Sequence, residues 1–249
     1  MTFNPGILAS TNPIGKAYAA LGPAQTTANA DSGYVFSTAS TTQLGPVTVT
    51  KRSGGGFTSS TDPSYNSTTE TMSFNGTNQA IAYLPNADIQ VAPLPFSFQI
   101  DFNMSTPTAY QYLVNLGQGN GVGWPCWQVS VNNNSLILTQ ATEDGGDGMS
   151  SYTIADIQSN AWYRCGVMYY RQDTTNYLRV YLDNVVKVQE TLGTSSTNAG
   201  GEGGIPRTTS LASNMAGITF GNDGANAAGY NFHGQMRNIY LDHKEFWAI

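Results

Sequence analysis

Residues 162–191 read WYRCGVMYYRQDTTNYLRVYLDNVVKVQET, and this stretch decides the fold. Three runs within it, at 163–169, 177–182 and 186–189, place apolar or aromatic side chains at every second position. Such alternation, rich in β-branched and aromatic residues, is typical of half-buried antiparallel strands. Polar residues 171–176 predict the first turn, and Asp183-Asn184 predicts a two-residue hairpin because Asn tolerates positive φ. The stretch therefore predicts a three-stranded meander with a dry face, which includes Val186 and Val188, and a wet face.

The same pattern recurs along most of the chain. Residues 96–102 (FSFQIDF) alternate so strictly that Phe96, Phe98, Ile100 and Phe102 are expected to point into the core. Asn75-Gly76, between two short apolar runs, predicts another hairpin. No helix longer than two turns is indicated. Many short strands separated by turn residues predict an all-β fold, a two-sheet antiparallel jelly-roll sandwich.

Composition narrows the class of protein. Only 10% of the 249 residues are charged, against about a quarter in typical globular domains. This suits an extracellular, virion or adhesive protein better than a cytosolic enzyme. The net charge of −6 gives no electrostatic footprint for nucleic acid. No apolar run is long enough to span a membrane, and the N-terminal residues lack the pattern of a secretory signal, so we expect none.

The chain divides at about residue 34. Residues 1–33 are rich in Ala, Thr, Gly, Pro and Asn and show no sustained period, which predicts an irregular N-terminal arm. Two interpretations stay open for it: a disordered terminus, or an arm that becomes ordered against a neighbouring subunit. Residues 34–249 form the predicted sandwich domain.

The order of the strand-like runs resembles the laminin G-like branch of the concanavalin A-like lectin and glucanase superfamily. The matching pieces are MSFNGTNQAIAYL (72–84), FSFQIDF (96–102), WYRCGV (162–167), LRVYLDN (178–184), ITFGND (218–223) and FHGQMRNIYL (232–241). The resemblance implies a concanavalin A-like jelly roll. Such domains serve as lectins, adhesion modules and glycosidases and, in bacteriophages, as parts of tail fibres or capsid decorations. The fold does not select among these functions.

A carbohydrate site needs an aromatic platform for the apolar face of a sugar ring and amides or hydroxyls for its hydroxyl groups. Aromatic and amide side chains near predicted loops form the candidate set: Trp124, Trp127, Tyr110, Tyr112 and Asn120. The alternative for the aromatic members is a place in the core or between subunits.

Carboxylates suggest a metal site and argue against hydrolysis. The glycine-rich loop with Glu143, Asp144 and Asp147 and the separate Asp223 are candidates for binding calcium, which takes oxygen ligands; a solvated loop is the alternative in each case. No other cofactor is predicted. The superfamily's hydrolases carry Glu-x-Asp-x-x-Glu on one strand, whereas Asp101 stands alone on its strand, so we expect no enzyme.

Cys126 and Cys165 are either two buried free thiols or one disulfide.

We therefore predict a non-enzymatic structural protein of a bacteriophage virion, either a capsid decoration or cement protein or a tail-associated one. Its partners would be capsid or tail proteins, and the low surface charge predicts a homo-oligomer. The alternative is a carbohydrate-binding adhesin or receptor-recognition module, whose partner would be a cell-surface glycan. A glycoside hydrolase is the remaining, disfavoured alternative.

Overall fold

The computed structural model describes residues 35–52, 61–85, 94–107, 109–116, 127–141, 149–192, 217–222 and 230–246. Within these ranges the chain forms fifteen strands and no helix, and therefore no helix that could cross a membrane. The strands are β1 (Thr41–Leu44), β2 (Val47–Lys51), β3 (Ser64–Asn66), β4 (Thr71–Asn75), β5 (Ile81–Pro85), β6 (Phe96–Met104), β7 (Gln111–Leu116), β8 (Trp127–Asn132), β9 (Ser135–Ala141), β10 (Met149–Asp156), β11 (Trp162–Gln172), β12 (Thr175–Leu182), β13 (Val185–Thr191), β14 (Ile218–Phe220) and β15 (His233–Asp242). The predicted arm, 1–33, lies outside the described residues.

Two antiparallel sheets form the predicted sandwich. The eight-stranded sheet runs in the order β1-β2-β5-β14-β7-β8-β9-β10, and the seven-stranded sheet runs β13-β12-β11-β6-β15-β4-β3. The inward residues predicted on β6, from Phe96 to Phe102, are all fully buried, which confirms that prediction. They pack between the sheets against apolar side chains such as Leu138 and Val167, so the alternating pattern of both sheets is used to fill one core.

The meander of residues 162–191 is confirmed as β11, β12 and β13. Its first turn is tighter than predicted, since β11 continues to Gln172 and β12 begins at Thr175. The second turn is as predicted, with positive φ at Asp183 and Asn184. The prediction that Val186 and Val188 share a face is wrong. The register shifts along β13, so Val188 packs in the main core while Val186 packs on the opposite face. A β-bulge has this effect because one extra residue reverses the alternation.

The outer face of the seven-stranded sheet is drier than the alternation predicts. Part of it carries a second apolar cluster made of Met168, Tyr170, Tyr181, Tyr240 and Phe246. Arg179 is 2% exposed on this face, with its guanidinium carbon 4.8 Å from the centre of the Tyr170 ring. The predicted wet face of the meander is therefore wrong here, because its outward aromatic residues pack with aromatic residues from the last strand and the segment after it.

The predicted hairpin at Asn75-Gly76 is also wrong. β4, which ends at Asn75, belongs to the seven-stranded sheet, and β5 belongs to the eight-stranded one. Gly76 does adopt positive φ, and its amide donates to the carbonyl of Phe232. The turn therefore carries the chain from one sheet to the other, which the local turn signal alone does not distinguish from a hairpin.

Cys165 is a buried free thiol on β11, and Cys126 lies outside the described residues. Burial, with a smaller contribution from the negative charge of Asp183, raises the pKa of the Cys165 thiol to about 12. At pH values where the thiol begins to ionise in an unfolded chain, the folded chain therefore keeps it protonated. The contribution of the neutral thiol to the free energy of unfolding is fully present below the pKa of the unfolded chain and is lost as pH rises towards about 12.

We expect Cys165 to be chemically inert in the folded protein. In a Cys126→Ser background, iodoacetamide at pH 8 is expected to alkylate Cys165 at least roughly 100-fold more slowly than in urea, because only the exposed thiolate reacts. Mass spectrometry of the protein over time gives both rates. Alkylation of the folded chain as fast as that of the unfolded chain would contradict the placement of Cys165 in the core.

Candidate functional site

Two of the predicted site residues, Tyr110 and Tyr112, come together with a third tyrosine. Tyr112 lies on β7, Tyr110 immediately precedes that strand, and Tyr230 lies three residues before β15. Their ring centres are 5.0 Å apart for Tyr110–Tyr112, 5.4 Å for Tyr110–Tyr230 and 5.9 Å for Tyr112–Tyr230. All three pairs are T-shaped, the arrangement that aromatic quadrupoles favour. We call these residues the tyrosine cluster.

The tyrosine cluster is open to solvent. Tyr230 is 42% exposed, and Tyr110 and Tyr112 are half-buried. Three aromatic rings in mutual contact at a surface form a larger exposed apolar feature than the single side chains that normally occur there. The cluster is therefore a candidate for binding.

Hydrogen bonds hold the exposed member in place. The amide of Tyr112 donates to the carbonyl of Tyr230 at 3.2 Å. The neighbouring Asn231 accepts from Asn222 Nδ2 at 2.8 Å and donates to the carbonyl of Thr77 at 2.7 Å. Asn222 and Asn231 are almost fully buried, so these bonds form in a low-dielectric setting where they fix geometry well. Tyr230 is thereby held on a rigid segment.

The cluster borders a polar sheet face. Register places Thr219, Asn115, Gln128, Thr139 and Ser151 in one row across the outer face of the eight-stranded sheet. The Gln128 amide donates to the Tyr110 hydroxyl at 3.5 Å, and the hydroxyls of Thr139 and Ser151 are 3.1 Å apart. Four side chains of this row, Thr219, Asn115, Gln128 and Thr139, are only 1–6% exposed, whereas Ser151 at its end is exposed. The row therefore supports the tyrosine cluster from below.

None of the other residues predicted to bind carbohydrate is placed in the tyrosine cluster by the described part of the structure. Trp127 is fully buried, with its ring centre 5.0 Å from that of Phe98. It belongs to the core, the alternative that its strand position left open, and it offers no surface for stacking. Trp124 and Asn120 lie outside the described residues.

The predicted calcium ligands Glu143, Asp144, Asp147 and Asp223 also lie outside the described residues. Within the described ranges no three His, Cys, Asp or Glu side chains are close enough together to hold a metal ion. The Asp101 carboxylate forms an ion pair within the chain, because Arg164 donates to both of its oxygens, at 2.6 and 2.8 Å.

The fold resembles a class of solved structures. No family model matches the chain, and no curated protein matches it. The receptor-binding domain of botulinum neurotoxin D is similar, with a TM-score of 0.53 and 13% identity over 85% of this chain and 48% of that one. The ligand-binding domain of serotype D in complex with N-acetylneuraminic acid gives 0.51 and 13% over 85% and 46%.

The serotype D binding domain gives a TM-score of 0.52 and 13% identity over 79% of this chain and 44% of that one. The chain thus spans less than half the length of each of these three structures. At this level of identity the similarity establishes a β-sandwich of the same kind.

Proposed function

We propose that this protein is a carbohydrate-binding module for receptor recognition, and that it binds saccharide at the tyrosine cluster. The observation that carries this proposal is the contact of three surface tyrosine rings, which present both aromatic faces and phenolic hydroxyls. A sugar ring presents C–H groups on its faces and hydroxyls around its edge, so it needs both kinds of surface.

The geometry supplies both kinds of contact. The perpendicular rings of Tyr110, Tyr112 and Tyr230 present faces in different directions, so a saccharide can rest against one ring and touch the edge of another. The Tyr230 hydroxyl makes no hydrogen bond to the described residues and is available to a ligand. Phenolic oxygens donate and accept, which matches the double role of a sugar hydroxyl.

The structural similarity supports the class of ligand. One of the similar domains is a neurotoxin ligand-binding domain in complex with N-acetylneuraminic acid, and a receptor-binding role is stated for another. Attachment to a capsid or tail stays a prediction, with deletion of residues 1–33 as its test.

Substitution of Tyr230 tests the proposal. On a glycan array the wild-type protein is expected to bind at least one glycan, and calorimetry is then used to compare variants with that glycan. Tyr230→Ala should weaken binding at least roughly 5-fold, because it removes about 1–2 kcal/mol of aromatic contact. Tyr230→Phe keeps the ring, so its affinity for the glycan should fall less than that of Tyr230→Ala.

Val185→Ala is the matched surface control, since Val185 is 56% exposed on the other sheet. It should bind as the wild type does. Equal affinity of Tyr230→Ala and the wild type, or an array without any bound glycan, would contradict the proposal.

A further inference from the structure

The outer face of the seven-stranded sheet holds a groove that the tyrosine cluster does not use. Its volume is about 360 Å³, within the range of small-molecule sites. Polar side chains line it from β4, from β6 and the residue after it, from β15 and from the segment before β11: Ser73, Asn103, Ser105, Asn160, His233 and Gln235.

Most of these side chains lack a hydrogen-bond partner among the described residues. Gln235 Nε2 donates to Ser73 Oγ at 3.4 Å. The side chains of Asn103, Ser105, Asn160 and His233 make no hydrogen bond to the described residues. The two Asn amides alone supply two acceptors and four N–H donors. The groove therefore concentrates hydrogen-bonding groups that the rest of the described structure leaves unused.

The walls of the groove are fixed by backbone contacts. The amide of Ser105 donates to the carbonyl of His233 at 2.9 Å, and the amide of Asn160 donates to the carbonyl of Met104 at 2.7 Å. Asn160 has φ of +59°, a conformation that Asn tolerates well. The binding groups are thus held in place before a ligand arrives, which lowers the entropic cost of binding.

The charge of the lining selects the class of ligand. The described lining residues carry no carboxylate, guanidinium or ammonium group. In the adjacent row of the sheet, the carboxylate of Asp101 is paired with Arg164, and the Arg237 guanidinium lies 4.1 Å from the centre of the Trp162 ring. A neutral ligand rich in hydroxyls fits such a groove better than an ion does, and the His233 imidazole is the ring against which the face of a sugar can rest.

We propose that this groove is a second saccharide site, which takes a neutral sugar unit. The inference rests on the proposed function for the class of ligand but uses different residues on the other sheet. Both sites lie at the same end of the sandwich, because Gln111, between Tyr110 and Tyr112, accepts a hydrogen bond from the amide of His233 at 2.8 Å. Two such sites on one rigid domain raise the avidity for a branched glycan.

Nuclear magnetic resonance of the full-length ¹⁵N-labelled chain tests the groove. The probes are methyl β-galactoside, methyl α-mannoside and N-acetylglucosamine, titrated into the Tyr230→Ala variant to remove the first site. At least one probe is expected to shift the side-chain amide signals of Asn103, Asn160 and Gln235 with millimolar affinity.

Two variants assign that binding to the groove. Asn160→Gly removes an exposed side chain without straining the positive φ, and Gln235→Ala removes another exposed amide. Each should weaken the probe at least roughly 5-fold, since a lost hydrogen bond costs about 1 kcal/mol. Asn134→Gly is the matched control, because Asn134 is also exposed with positive φ and lies outside the groove. It should leave the affinity unchanged.

The outcomes separate the two proposals. If none of the three probes shifts the groove amides, or if Asn160→Gly and Gln235→Ala bind like the control, the second site is overturned while the tyrosine cluster is unaffected. If the groove amides shift but Tyr230→Ala has no effect on the array glycan, the second site holds and the tyrosine cluster fails.

Discussion

Replacing Asp101 by alanine is expected to lower the free energy of unfolding by about 3 kcal/mol, because it leaves Arg164 without its counter-charge. The Asp101 carboxylate accepts from Arg164 Nε and Nη2 at 2.6 and 2.8 Å and from Asn238 Nδ2 at 2.7 Å. The side chains of Asp101 and Arg164 are only 9% and 13% exposed, so water replaces the lost contacts poorly. Urea denaturation followed by circular dichroism measures the change.

Asp156→Ala provides the control. Asp156 is an exposed strand carboxylate that accepts from the Ser135 hydroxyl at 2.9 Å, and its loss should cost less than about 1 kcal/mol. If Asp101→Ala is no more destabilising than Asp156→Ala, the network around Asp101 contributes little to the sheet.

Gly234→Ala should destabilise the protein by a similar amount, about 3 kcal/mol. Gly234 pairs with Met104 across β15 and β6, and its φ is +155°. A Cβ at this position would overlap the carbonyl oxygen of Asn103, which belongs to the backbone and cannot rotate away. The two central strands must therefore separate, and their separation also distorts the groove beside them.

Gln235→Ala is the neighbouring control for this substitution. Its side chain is exposed, so a change in stability within about 0.5 kcal/mol is expected. Thermal unfolding of both variants gives the comparison, and a Gly234→Ala protein as stable as Gln235→Ala would contradict the close approach of β15 and β6.

The strands were predictable because side-chain alternation is a local property. Residues 96–102 and 162–191 alternate in sequence, and β6, β11 and β12 follow that alternation, as does β13 on each side of its register shift. The register shift along β13 was not predictable, since a bulge depends on the pairing of two strands. The sheet to which β5 belongs was also not predictable. Asn75-Gly76 indicates a turn, but a turn signal does not determine whether the strand after it pairs with the strand before it.

The candidate sites depend on contacts between residues that are distant in sequence. Tyr110 and Tyr112 were predictable as aromatic residues near a loop. Tyr230 was missed because 118 residues separate it from Tyr112 and nothing in its local sequence marks it. Asp101 was visible in the sequence as a solitary carboxylate, but its arginine and asparagine partners come from β11 and β15.

Nuclear magnetic resonance of the tyrosine rings shows whether the tyrosine cluster binds saccharide. The chain is labelled at its tyrosine rings and titrated with the glycan that gives the strongest array signal. Shifts are expected at Tyr110, Tyr112 and Tyr230 and none at Tyr177, whose ring stacks on Tyr170 on the other sheet. Saturable binding that leaves the three cluster resonances unmoved would contradict the proposed saccharide site.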